Sequence, residues 1–374
     1  MSGTPRRTPS PHCRQYVTPA GAAVLTHCAL QAGFRDDPTA SADIPPSPAM
    51  CIGSAAHLVL ERAGAGELPT EEARAGAWDS AIQAQADALQ EKTTPPAWAS
   101  RPSSWPYYEL KRARTLRLAS RLAALRGSGG PPPGGSPHAS PAADFEVWRE
   151  ALNGRLKGRI DVVRRGPPKT IEDYKTGKVN DEDTGEIRQE YLVQMALYAV
   201  LEHAHDGIWP ESAELIPLTG PPVELAIDPA LATRHAEEAV AALDAYLAAA
   251  EAGELESLAR PSAGNCRWCP FSVHCGPFWA SCAEEWLSLG VTAMSGLIQQ
   301  ISPAGELRTL ALDSCAGSIR GQVRIRGLEP VQLPPGLSPG DSIGVTNVRL
   351  AGSGSEIWAT PATRVERAVA GVAA

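Results

Sequence analysis

No run of about eighteen apolar residues occurs anywhere in the 374-residue chain, so the sequence encodes no membrane-spanning helix. The segment ahead of Pro11 is polar and proline-rich and lacks the apolar core of a secretion signal, which sets the expectation of a cytoplasmic protein. No Gly-x-x-x-x-Gly-Lys-Ser/Thr loop is present, so the chain carries no recognisable ATP motor of its own. Aromatic residues are scarce, at 5%, and beyond residue 291 Trp358 is nearly alone, which leaves little for base stacking there. Positive charge is not in excess either. The 34 Lys and Arg are outnumbered by 42 Asp and Glu, net −8, which argues against a general nucleic-acid coat protein but permits a local basic stripe.

What is present points to a large folded chain with interruptions. The length exceeds one ordinary domain, and 43% hydrophobic residues can form a sizeable core. The 34 Gly and 34 Pro imply long irregular segments between folded parts. Eight cysteines in a cytoplasmic chain suggest metal or cluster ligation over a disulfide framework.

The stretch Leu156 to Lys178, LKGRIDVVRRGPPKTIEDYKTGK, predicts two short strands around a Gly-Pro-Pro turn. Side chains alternate along a strand, so Arg159, Asp161 and Val163 share one face, and Ile171, Asp173 and Lys175 share another. A hairpin about Pro167 sets Asp161 roughly opposite Asp173, with Lys175 two residues further along. Two carboxylates and a lysine at a hairpin's end suit a divalent metal ion and an activated water. The plainer alternative is a surface hairpin with solvated charges.

The GRID box followed by DYKTGK resembles the PD-(D/E)XK nuclease superfamily, in its RecB-like branch. The resemblance implies an α/β fold with a restriction-endonuclease-like central mixed sheet flanked by helices. It also implies that Asp161 and Asp173 hold Mg²⁺ or Mn²⁺ and that Lys175 orients the attacking water. Two further boxes fit the same branch. In CIGSAAHLVLE, Gly53 and His57 lie one helical turn apart, and the Gly-x-x-x-His pattern implies that His57 reaches the metal; a satisfied core histidine is the alternative. In EYLVQMALYAVLEH, Gln194 and Tyr198 share a face, with Tyr191 nearby. That Gln-x-x-x-Tyr pattern implies contacts to the active site and the DNA backbone. Glu146 is a weaker candidate upstream of GRID.

Cys266, Cys269 and Cys275 follow a Cys-x2-Cys-x5-Cys spacing. Three thiolates so close can wrap one soft metal centre and leave a fourth position open. RecB-like nucleases with a [4Fe–4S] cluster, AddB-like or like a CRISPR-associated adaptation nuclease, imply Cys28 as the fourth ligand. Structural Zn²⁺ with Cys28 or His274 is the rival. Cys13, Cys51, Cys282 and Cys315 read as structural or incidental.

Along the chain, residues 19 to 35 predict one helix containing Cys28. Lys111, Arg112, Arg114, Arg117, Arg121 and Arg126 sit on a helix with no acid after Glu109, either a phosphate track or a solvated basic face. The expected organisation is a disordered tail at 1–18, a nuclease domain at 19–284 with a flexible insertion at 127–143, and a small all-β OB-like barrel at 291–369. Five short strands suggest that barrel, and Arg320, Arg324, Arg326 and Arg349 keep a single-stranded DNA platform open for it. The functional expectation is a metal-dependent DNA nuclease, an exonuclease on single-stranded or end-containing DNA, in repair, recombination or CRISPR adaptation. Its expected partners are DNA and a separate helicase or recombination protein. The alternative is a non-cutting, cluster-bearing DNA-binding or assembly subunit.

Overall fold

The computed structural model describes residues 8–10, 14–42, 44–91, 96–127, 143–181, 184–351 and 356–368. Cys13 and almost all of the low-complexity insertion lie outside them; Gly127 ends a helix and Ala143 begins a strand.

The chain opens with α1 (Pro19–His27), α2 (Ala29–Asp36), α3 (Pro38–Ala42), α4 (Pro48–Gly64), α5 (Glu71–Gln90) and α6 (Tyr108–Gly127). Starts are marked by ordinary N-terminal signals. Thr18, Ser47 and Thr70 cap α1, α4 and α5 with their hydroxyls, and proline opens α1 and α4. The single helix expected over 19–35 is two. Cys28 breaks it with an extended backbone (φ −161°, ψ 96°) and ends α1 while starting α2. Residues 14–18 also leave the expected tail. Val17 is fully buried, its N–H bonds Arg155 O at 2.8 Å, and its carbonyl accepts from Lys157 N at 3.1 Å.

Five strands, β1 (Ala143–Ala151), β2 (Leu156–Arg164), β3 (Thr170–Lys175), β4 (Ser212–Pro217) and β5 (Val223–Ala226), form a mixed sheet in chain order. All neighbours are antiparallel except β3 and β4. A parallel pair needs a long crossover, here supplied by α7 (Gln189–Asp206). α8 (Pro229–Ala252) follows β5, capped by Asp228 and stopped at Gly253 (φ +72°). The sheet is covered on both sides. Leu156, Ile160, Val163 and Ile171 pack with α1, α2, α7 and α8, whereas Val162 and Tyr174 pack with α4, α5 and α6. This is the expected mixed sheet between helix layers.

Two short helices, α9 (Ala263–Cys266) and α10 (Gly276–Ser281), lead into a second sheet. It contains β6 (Ala293–Ala304), β7 (Leu307–Gly317), β8 (Gly321–Leu328), β9 (Ser342–Thr346), β10 (Arg349–Ala351), β11 (Glu356–Trp358) and β12 (Arg364–Arg367). Its order is β10-β11-β8-β7-β6-β9-β12. The expected OB-like barrel is therefore not what the ladders give: β10 and β12 are not paired with each other among the described residues, so no closed barrel forms. Five expected strands become seven because Asn347 (φ +62°) separates β9 from β10, and a turn at Pro361 separates β11 from β12. Met294, Leu310, Ile325 and Ile343 form this sheet's own core. No described helix is long and apolar enough to cross a membrane.

Candidate active site

The site begins with a fault in two strands. Positions two apart on an unbroken strand share a face, yet Ile160 packs against the α7 side and Val162 against the α4 side. β1 reverses likewise, with Phe145 on the α4 side and Val147 on the α7 side. Between the rungs Phe145↔Val162 and Val147↔Ile160 the rung Glu146↔Asp161 is missing, and Glu146 adopts φ +51°. A left-handed backbone at a non-glycine residue costs on the order of 1–3 kcal/mol and persists where surroundings hold it. Here it sets two carboxylates across from each other.

The β2–β3 register brings in the third. The pairs Val162↔Glu172 and Val163↔Ile171 place Asp173 next in register to Asp161, as the sequence suggests. The ladder stops there because Asp161 Oδ2 accepts the Tyr174 N–H at 2.8 Å. Both aspartates are buried. Burial, then the charge of Asp173, pushes the Asp161 carboxyl well above the usual range. Burial raises Glu146 to about 7, against the pull of Arg159; Glu61 and Asp173 add to the rise. The Arg159 Nε stands 2.6 Å from Glu146 Oε2. Crowded carboxylates that resist ionising together are a donor set suited to a hard divalent cation.

His57 arrives from α4, its Nδ1 3.6 Å from Asp161 Oδ2. Burial lowers its pKa, with Asp173 opposing, so the imidazole is held toward the neutral, ligating form. Gly53, one turn earlier, lets α4 approach β3: an added Cβ would lie 3.1 Å from Thr176 Oγ1. Glu61, one turn later, was not singled out from the sequence. Its signal is the four-residue spacing Gly53, His57, Glu61 on one helix face.

From the opposite side α7 supplies Gln194 and Tyr198. Lys175 Nζ is 2.6 Å from Asp173 Oδ2 and donates to Gln194 Oε1 at 2.7 Å. Gln194 Nε2 donates to Asp173 Oδ1 at 3.2 Å and to Tyr198 OH at 3.1 Å. The Tyr191 ring lies 4.3 Å from Lys175 Nζ, a cation–π contact. Tyr198 is 6% exposed, so it braces Gln194 from behind. The DNA-backbone contact expected of it does not fit that burial.

The basic helix reaches the same place. Lys111 Nζ donates to the Thr176 carbonyl, and Arg112 stands 3.7 Å from Asp79. Arg114, Arg117 and Arg121 form no ion pair among the described residues; Arg117 and Arg121 are exposed and Arg114 is half-buried.

The cysteines gather elsewhere. Cys28, at the break between α1 and α2, lines one pocket with Cys266, Cys269 and Cys275, walled by Phe34, Phe271 and Phe278. None is in a disulfide. Burial pushes the Cys275 thiol up to about 12 and Cys269 higher still. His274 faces away, its Nδ1 3.7 Å from Glu366 Oε2 on β12, and it does not line the cysteine pocket. Cys51 is buried on α4, Cys282 is buried in a cluster that packs against Cys266 and Cys275 but does not line the pocket, and Cys315 is exposed. Among the described residues, no three His, Cys, Asp or Glu side chains are drawn tightly enough to hold one metal ion. The carboxylate and thiol sets are thus gathered but not closed.

The family model of the PD-(D/E)XK nuclease superfamily matches residues 16–276. No curated protein matches the chain. Among solved structures, the crystal structure of SSO0001 is 19% identical, with a TM-score of 0.28, over 52% of this chain and 80% of its own.

Proposed function

The chain belongs to the PD-(D/E)XK nuclease superfamily, and from that premise we propose that it is a metal-dependent deoxyribonuclease acting on single-stranded or end-containing DNA. The observation that carries this reading is the convergence of Asp161, Asp173 and Lys175, with Gln194 bonded to both Asp173 and Lys175. Asp161 and Asp173, with His57 and Glu146 beside them, are the residues that would hold Mg²⁺ or Mn²⁺. When bound, the ion supplies Lewis-acid polarisation of the scissile phosphate and lowers the pKa of water. Lys175 has three N–H donors; Asp173 and Gln194 take two, and the third can orient the attacking water. Gln194 fixes the lysine's direction and Tyr198 fixes Gln194. Lys111 and the free arginines of α6 offer a track for the substrate's phosphates.

Cys28, Cys266, Cys269 and Cys275 are the residues that would hold a [4Fe–4S] cluster, which would tie the two ends of the nuclease body together. Four thiols lining one pocket support this, since a cluster is larger than one ion and does not require its ligands to meet at a point. A Cys₄ zinc site is the second reading; the orientation of His274 toward Glu366 speaks against a zinc site that includes it. Residues 14–284 form the proposed nuclease domain, and 291–368 a separate β domain. The test is an anaerobic preparation assayed for iron and for Mg²⁺- and Mn²⁺-dependent cleavage of labelled single- and double-stranded DNA. Absence of cleavage with either ion, in iron-replete protein, would leave the non-cutting subunit as the correct reading.

A further inference from the structure

The outer face of the C-terminal sheet carries a built row of side chains that the nuclease site does not use. Trp358 on β11 is the register partner of Arg349 on β10 and of Arg326 on β8. Directly opposed residues on neighbouring strands project from the same face, so the indole is flanked on both sides by an arginine. Strands lie about 4.8 Å apart, which separates the two arginine-bearing strands by roughly 10 Å with the ring between them. The Arg326 guanidinium is 5.9 Å from the ring centroid. Beneath the ring lies Gly327, where a Cβ would come within 3.4 Å of the indole, so the glycine seats it against the sheet.

The row continues. Arg324, two residues before Arg326, pairs in register with Ala311 on β7, and Thr309 pairs with Ser302 on β6. These residues line a concavity of about 580 Å³ together with Gln300, Leu307, Gly327 and Trp358. The opposite face holds Leu310, Leu312 and Ile325 in the core, so the arginines are not covered by packing. Arg324, Arg326 and Arg349 are exposed, and none forms an ion pair among the described residues. Arg320, by contrast, lies off this row beside Glu284, at 3.4 Å. The carboxylates on the face, Asp313 and Glu356, fall two residues beyond Ala311 and two before Trp358, bounding the row at its ends.

We propose that this face binds single-stranded DNA, with one base stacked on Trp358 and the neighbouring phosphates held by Arg326 and Arg349. Three uncompensated guanidiniums gathered on a protein of net charge −8 are a local match for a polyanion. A half-buried indole set between them selects unpaired bases, because a duplex hides its ring faces in its own stack. The polar side chains Gln300, Ser302, Thr309 and Arg324 extend the floor for the next nucleotides. The choice of DNA as occupant rests on the nuclease reading; the sheet would feed or retain the strand that the α/β body cuts.

The test separates the two claims by measuring binding without cleavage. Full-length protein in EDTA is titrated into fluorescein-labelled oligo(dT), and anisotropy is recorded between 50 and 300 mM salt. Arg326→Glu should weaken binding at least about tenfold, and Trp358→Ala at least about fivefold. Replacing Arg326 and Arg349 by Ala should lower the slope of log K against log salt by about 1.4, from two lost phosphate contacts on a single strand. The arginines are exposed, so these variants report binding even if Trp358→Ala fails to fold. Unchanged affinity and slope in the arginine variants would overturn the proposal. So would oligo(rU) binding tighter than oligo(dT), which marks an RNA surface, or equal binding of blunt duplex. A protein that binds in EDTA as described but never cleaves with Mg²⁺ or Mn²⁺ retains this surface and loses the nuclease reading instead.

Discussion

Lys175 donates to the Gln194 side chain at 2.7 Å, and the same amide donates onward to Asp173. One glutamine from a helix thus spans an aspartate and a lysine that are two residues apart on a strand. Replacing it frees the lysine to swing about its long side chain. Gln194→Ala should reduce kcat about 100-fold, the scale of a roughly 1 Å misplacement, with little change in metal affinity. Single-turnover rates beside metal titrations decide it; an equal loss in both would make Gln194 a metal-site residue instead of a positioning one.

Asp161→Asn should abolish cleavage and yet stabilise the metal-free protein at neutral pH. Its folded pKa is raised, so the folded state binds more protons than the unfolded one above the unfolded carboxylate pKa. Stability contributed by the protonated form is therefore lost as pH rises through the folded pKa. The asparagine cannot ionise and removes that loss. Thermal unfolding in EDTA from pH 4 to 8 should show a steeper fall for wild type than for the variant. Parallel curves would count against the crowding of carboxylates.

Metal entry should expel protons. Glu146 titrates at about 7 without an ion, so near that pH it is partly protonated, and a cation favours its charged form. Calorimetric Mg²⁺ titrations at pH 7 in two buffers of different ionisation enthalpy should report proton release. Glu146→Gln should reduce it. Identical release from the variant places Glu146 outside the metal site.

Cys28→Ser should lose iron and lower the melting temperature, whereas His274→Ala should keep its iron. The contrast follows from geometry, since Cys28 lines the cysteine pocket and His274 turns to Glu366. Iron counts on anaerobic preparations settle the matter, and full iron in the Cys28 variant removes it from the ligand set.

Gly158→Ala should destabilise the protein by about 1–3 kcal/mol through overpacking. An added Cβ would stand 2.8 Å from Pro19 Cδ and 2.9 Å from Leu201 Cδ1. Gly166→Ala, with nothing within 4 Å, is the control. Urea midpoints showing equal shifts for the two would mean that α1 and α7 do not press on β2 as described.

Much of this was legible in advance because motif residues do local work. The glycine of GRID is the point where α1 and α7 meet β2, and Gly53 is where α4 meets the end of β3. Alternation along the hairpin placed Asp161 opposite Asp173. What alternation could not show is the reversal at Glu146, since a positive φ at a glutamate leaves no mark in a pattern of apolar residues. Glu61 was hidden for the opposite reason: the spacing was visible, but a glutamate late in a helix reads as surface charge. The break at Cys28 was lost because its apolar flanks continue a helical period. The second sheet reads from sequence as a small OB-like barrel because strand count and turn residues do not reveal which edges pair.

The N-terminal helices are stitched to partners made much later. Asn265 donates to the carbonyl of His27, 238 positions away, Arg260 to Thr26 across 234, and Tyr246 to Asp36 across 210. On a ribosome elongating at about 5–20 residues per second, α1 and α2 therefore wait on the order of ten to fifty seconds for those partners to emerge. The hairpin bearing Asp161 and Asp173 is synthesised within that interval, and its covering helices α7 and α8 follow it in turn. A nascent chain thus carries Asp161 and Asp173 before the helices that cover them, and the first helices find their last partners only once residue 265 has emerged.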